Sequence, residues 1–184
     1  RFGYTDAEFE DKDSIPTEDN PTNLTRPDVC TEDAPRYPKL QIRSMASQDK
    51  DITKLCVDHI YDMTTMFYSL PLFNQDISNW DVSHVTNMEN MFANSPSFNQ
   101  DIGQWNVSRV TDMAFLFNKA NSFNQDISEW DTSSVTNMTA TFQYTNNFYQ
   151  DISSWPVDNV TVWTSIIYGS KLLENDQFVP EKLW

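Results

Sequence analysis

The stretch FNQDISNWDVSHVTNMENMFANSPS, which begins at Phe73, recurs without a gap from Phe98, Phe123 and Phe148, a period of 25 residues each time. A fifth, weaker copy occupies residues 48–72, where Asp51, Ile52, Ile60, Met63, Met66 and Phe67 keep their places. Self-similarity at such a period means one small supersecondary unit per copy. Each unit cannot bury its apolar face alone, so neighbours must stack to form a continuous core.

Aligned in this way, the copies form columns. One reads Leu55, Trp80, Trp105, Trp130, Trp155; another Ile52, Ile77, Ile102, Ile127, Ile152; a third Met63, Met88, Met113, Met138, Trp163; a fourth Phe67, Phe92, Phe117, Phe142, Ile167. Like residue falls on like residue, so these columns predict apolar ladders in a core rather than an exposed aromatic platform. Within a copy, Trp80-Asp81-Val82 alternates as a very short strand would. Thr86-Asn87-Met88-Glu89 has the form of a capping box, with Met88, Met91, Phe92 and Ser95 at helical spacing behind it. The expected fold is therefore an α/β solenoid: a leucine-rich-repeat-like, right-handed superhelix with one short parallel strand and a short helix per repeat. The expected division is an extended, acidic, Pro-rich N-terminal arm (1–47), a five-repeat solenoid (48–172) and a C-terminal cap (173–184).

The run V-T-x-M-x-x-M-F, followed by F-N-Q-D-I-S-x-W-D-x-S, resembles the BspA-type leucine-rich repeats of bacterial and protist surface lipoproteins. The resemblance covers residues 48–172 and leaves residues 1–47 outside it. It implies a secreted or surface-displayed protein used in adhesion or scaffolding, with no catalytic residues to carry over. Fold alone does not fix function.

The arm holds Pro16, Pro21, Pro27, Pro35 and Pro38 and no evident apolar periodicity. Its anchors, on its own repeats or on a neighbouring molecule, are expected to be Phe2, Tyr4 and Phe9. The only cysteines are Cys30 and Cys56, one in the arm and one in the first repeat. Later copies carry Asp81, Asn106 and Asp131 at the Cys56 position, so the repeat itself does not require a thiol there. A disulfide between them would staple the arm to the first repeat, worth roughly 3–4 kcal/mol on the chain-entropy account. The chain starts at Arg1 without a Met, as after removal of a leader or in a fragment. Sequons occur at Asn23, Asn106, Asn137 and Asn159, although a chain this rich in Asn, Ser and Thr yields several by chance. A net charge of −15 argues against binding nucleic acid or anionic lipid. No apolar run is long enough to span a membrane.

Asp51, Asp76, Asp101, Asp126 and Asp151 form an unbroken column. Two readings stand: each accepts backbone N–H bonds in its own loop, or the column holds Ca²⁺ between repeats. Calcium-binding repeats are usually Gly-rich, and this chain has 3 glycines, which favours the first. His59 and His84 share a column continued by Arg109, Ser134 and Asn159, the variable pattern of a solvated edge. No Ser or Cys has a matching His–acid pair in a recognisable motif and no phosphate loop is present, so the chain reads as non-enzymatic, with no cofactor unless calcium binds. Three aromatics interrupt otherwise polar columns: Phe115, Tyr144 and Tyr149. They are the expected contact anchors. The sequence thus points to an extracellular or cell-surface structural protein that packs into a coat, matrix or filament through contacts with other proteins or its own copies. The alternative is a monomeric adhesin that recognises a protein or glycan.

Overall fold

In the computed structural model the described residues are Cys30 and residues 34–183. The repeats all lie in one compact unit, Glu32–Trp184. Its first element is a helix, α1 (Lys39–Ser47), with Ile42, Met45 and Ala46 turned inward. These three fall at i, i+3 and i+4 among good helix formers, which is why the segment coils. Pro38 closes the helix start, its carbonyl accepting the N–H groups of Gln41 and Ile42. At the far end Asp49 adopts a left-handed φ of 56°. The Asp49 N–H donates to the Ala46 carbonyl and the Lys50 N–H to that of Met45, a Schellman closure. The helix takes up the last nine residues of the segment expected to be extended.

Between α1 and residue 170 the described chain has neither helix nor strand, which overturns the expected α/β solenoid with a strand and a helix in each repeat. Each repeat is built of turns instead. The Trp80-Asp81-Val82 strand does not form because the Trp80 N–H folds back onto the Ile77 carbonyl and the Val85 N–H onto that of Val82. The expected helix fails for a different reason. Thr65 and Ser69 have φ of 58° and 55°, and their counterparts Asn90 and Asn94, Phe115 and Lys119, and Ala140 and Tyr144 are likewise left-handed. A right-handed helix cannot pass through two such residues four apart.

The backbone groups are satisfied by division of labour. The N–H groups of Met66, Tyr68 and Leu70 close i→i+3 turns onto Met63, Thr65 and Phe67. Those of Met63, Thr65, Phe67 and Ser69 cross to the carbonyls of Asn87, Glu89, Met91 and Ala93 in the next repeat. The same four crossings recur at every junction, down to Met138, Ala140, Phe142 and Tyr144 donating to Val162, Thr164, Ile166 and Tyr168. Only isolated parallel bridges mark the ladder, running Asp62, Asn87, Asp112, Asn137, Val162.

The core columns lie where the aligned copies place them. Phe67, Phe92, Phe117 and Phe142 stack with ring centroids 5.6–5.7 Å apart, and Phe73, Phe98, Phe123 and Phe148 form a second pile at 5.7–5.9 Å. The two piles touch at each copy boundary, as Phe92 and Phe98 do at 3.8 Å. Each Trp of the next column is buried with its indole N–H donating to an Ile carbonyl one repeat back, Trp105 to Ile77 for example at 3.2 Å. A buried indole needs such an acceptor. Past residue 170 the tail makes three short 3-10 turns, Lys171–Glu174, Asp176–Phe178 and Glu181–Leu183. No helix among the described residues is long and apolar enough to cross a membrane.

Candidate functional site

The recurring carboxylates are loop ligands for backbone N–H groups. Oδ1 of Asp51, Asp76, Asp101, Asp126 and Asp151 accepts the N–H two residues on, from Thr53, Ser78, Gly103, Ser128 and Ser153, at 2.8–3.0 Å. The Thr53 hydroxyl bond, then its N–H, holds Asp51 below the usual carboxylate range, and the Ser128 N–H does so for Asp126. Asp81, Asn106 and Asp131 repeat this bond in a second column. Asp62, Asn87, Asp112 and Asn137 repeat it in a third. Among the described residues no three His, Cys, Asp or Glu side chains group so as to hold a metal.

The other recurring polar residues also bind neighbouring repeats. The hydroxyls of Thr86, expected to cap a helix, and of Thr111, Thr136 and Thr161 in the same column take another role. They donate instead, beside their own N–H, to the carbonyl 25 residues back, Thr111 to Thr86 at 3.1 Å for instance. Gln75, Gln100, Gln125 and Gln150 each donate through Nε2 to a carbonyl of the preceding repeat. His59 Nε2 meets the Tyr37 carbonyl, and the His84 ring packs edge-on against Tyr61.

The first repeat has no predecessor, so its outward carbonyls lack donors from a rung before it. Side chains of α1 supply them. Lys39 Nζ donates to the Thr64 carbonyl, Arg43 Nη1 to those of Thr65 and Met66, and Nη2 to that of Tyr68, at 2.8–3.2 Å. Lys39 also pairs with Asp62 at 3.2 Å. Burial opposes ionisation of Asp62, but the Thr64 bonds and Lys39 outweigh it and keep that carboxyl below its ordinary range. A neighbouring ion pair joins Arg36 to Asp58 at 2.9 Å. This closing of the carbonyl edge is not apparent from the repeats. Its one trace in the sequence is Lys39 and Arg43 spaced four apart immediately before them.

The expected contact residues fall apart into separate roles. Phe2, Tyr4, Phe9 and Asn23 lie outside the described residues. Phe115 and Tyr144 occupy left-handed positions, which explains why their columns vary in side chain while sharing a backbone shape. Tyr144 is exposed and meets Tyr168 edge-on at 5.5 Å. Tyr149 is packed by its own chain, with the Phe178 ring at 5.3 Å and Lys171 Nζ over its face at 5.3 Å. Among the sequons, Asn106 is exposed and its Oδ1 takes the Ser108 N–H. Asn137 Nδ2 is tied to Asp112 and Asn159 Nδ2 to the Ser133 carbonyl. Cys30 and Cys56, the only two cysteines in the chain, are disulfide-bonded.

No curated protein and no solved structure matches the chain. A family model does, twice, over residues 40–129 and 102–178. The two matches run from the helix that closes the carbonyl edge to the turns of the tail, so the chain belongs to the family described as Mycoplasma protein of unknown function, DUF285.

Proposed function

We propose that the protein is a non-enzymatic scaffold of the cell surface or extracellular space that acts through protein–protein contacts. The observation that carries this reading is the employment of the repeat motif itself. Its recurring Asp, Asn, Gln, Thr and Trp side chains are engaged in holding one repeat to itself or to the next. A motif that encodes the stack leaves only the variable columns to meet partners, which suits a scaffold rather than a reaction centre. The disulfide fits an oxidising compartment. The BspA-type resemblance of residues 48–172 points the same way.

A second reading, a binding module that works as a single chain, is favoured by the closure of the carbonyl edge by Lys39 and Arg43, which removes one surface on which copies could stack. Light scattering on the full, disulfide-intact chain, with and without a chelator, separates the two. Large particles that persist in chelator support the scaffold. A single-chain mass under both conditions overturns self-assembly and leaves the binding module. Particles that dissolve in chelator assign the Asp51–Asp151 column to calcium instead.

A further inference from the structure

The interior junctions define what the last rung lacks. Its counterparts of the four crossing donors are the N–H groups of Trp163, Ser165, Ile167 and Gly169, and none has an acceptor among the described residues. All four lie along one edge, on alternate residues. A row of unpaired main-chain donors along an edge is a template on which another chain can pair. Beside them runs a groove of about 330 Å³ walled by Trp163, Ile166, Ile167, Tyr168, Leu173 and Leu183. Tyr168 is 57% exposed and Leu173 49%.

The tail sets the size of what can dock there. It folds over the first half of the last repeat: the Phe178 carbonyl accepts the Ile152 N–H, and Lys182 Nζ donates to the carbonyls of Val157 and Asp158. A complete repeat from a second copy would need that space for its own first half. The carbonyl edge of such a copy is moreover held by Lys39 and Arg43. Copy-on-copy stacking is therefore closed from both sides, and half a rung stays open.

We propose that this edge docks a single linear segment of another polypeptide, laid along residues 163–169. Its carbonyls on alternate residues accept the four N–H groups, and its apolar side chains enter the groove. Main-chain pairing supplies affinity and the groove supplies selectivity, as in other edge-addition complexes. The proposal deepens the scaffold reading and rests on it only in taking the partner to be a protein.

The test uses the full, disulfide-intact chain, isotope-labelled for amide NMR, and a synthetic peptide of residues 86–98, the segment that fills this place at the first interior junction. In the free chain the amides of Ser165, Ile167 and Gly169 should exchange on the order of 100-fold faster than those of Ala140, Phe142 and Tyr144. Adding peptide should shift the four edge amides and slow their exchange. Leu173→Asp, at an exposed groove wall, should weaken the peptide about tenfold or more with the remaining spectrum unchanged. Edge amides already protected in the free chain, or a peptide that leaves them unmoved, overturn the proposal. Neither result bears on particle mass, so the scaffold reading stands or falls separately by light scattering.

Discussion

Arg43 Nη2 donates to the Tyr68 carbonyl at 2.8 Å, in the place where Ala93, Asn118, Gln143 and Tyr168 each receive a main-chain N–H. A side chain thus stands in for a missing repeat. Charge-assisted bonds to otherwise orphaned carbonyls are among the stronger single contributions to stability. Arg43→Met should lower unfolding stability by about 3 kcal/mol. Urea denaturation followed by tryptophan fluorescence checks this, and Arg43→Lys, which keeps charge without the fork, should restore only part. An unchanged midpoint for Arg43→Met would show that the edge is capped by solvent equally well.

Thr65 holds a left-handed φ of 58° with a β-branched side chain, the least suited residue type for that region. Its N–H crossing to Glu89 survives removal of the side chain. Thr65→Gly should therefore raise stability by about 1 kcal/mol, read as a higher thermal midpoint. A lower midpoint would mean that the Thr65 hydroxyl bond to the Thr64 carbonyl matters more than backbone strain.

Gly169 has φ of 72°, and a β-carbon built there would lie 2.5 Å from Cδ1 of Tyr144. Gly169→Ala should cost about 2 kcal/mol, part of it from φ and part from the ring. Tyr144→Ser should recover the second part and not the first. A double-mutant cycle measured by chemical denaturation gives the coupling directly. Zero coupling would place the whole cost in the backbone.

Asp51, Asp126, Asp131 and Asp151 all have carboxyls held below their ordinary values by bonds from Thr53, Ser128, Ser133 and Ser153. Groups depressed in this way contribute stability that is fully present above the unfolded-state value, about 3.9, and lost as pH falls through the folded one. The thermal midpoint should be level near neutrality and fall as the pH drops below about 4. Asp126→Asn keeps an Oδ1 acceptor, as Asn106 does in the neighbouring column, while removing a titrating group. It should flatten the acid limb without lowering the plateau. A drop across the whole pH range instead would show that the charge itself stabilises the turn.

The core was legible because stacking places identical side chains above one another, so Trp80, Trp105, Trp130 and Trp155 reveal their burial by recurrence alone. Local conformation was not. Met88, Met91, Phe92 and Ser95 have helical spacing because consecutive i→i+3 turns, interrupted by left-handed residues, return to the core at nearly the same interval as a helix. The left-handed columns contain Thr, Ser, Asn, Phe, Lys, Ala and Tyr, with Gly only at Gly169, so the usual marker of such a backbone is missing. Helix α1 was hidden between Pro38 and an irregular first repeat, where nine residues give too short a window for periodicity. The open donor edge has no sequence signal, since an unmet N–H depends on what fails to follow it in space.

The crossing bonds have one further effect. At each junction four main-chain N–H groups point to carbonyls of the next repeat, and fewer, one or two, point to carbonyls of the one before. Peptide dipoles therefore add along the stack much as they do along a helix axis. The pile of repeats behaves as an electric rod, its negative pole neutralised by Lys39 and Arg43 and its positive pole bare at Trp163–Gly169. In a chain of net charge −15, that pole is a small electropositive spot fixed by backbone geometry rather than by side chains. A mutational scan of surface charges would leave it untouched.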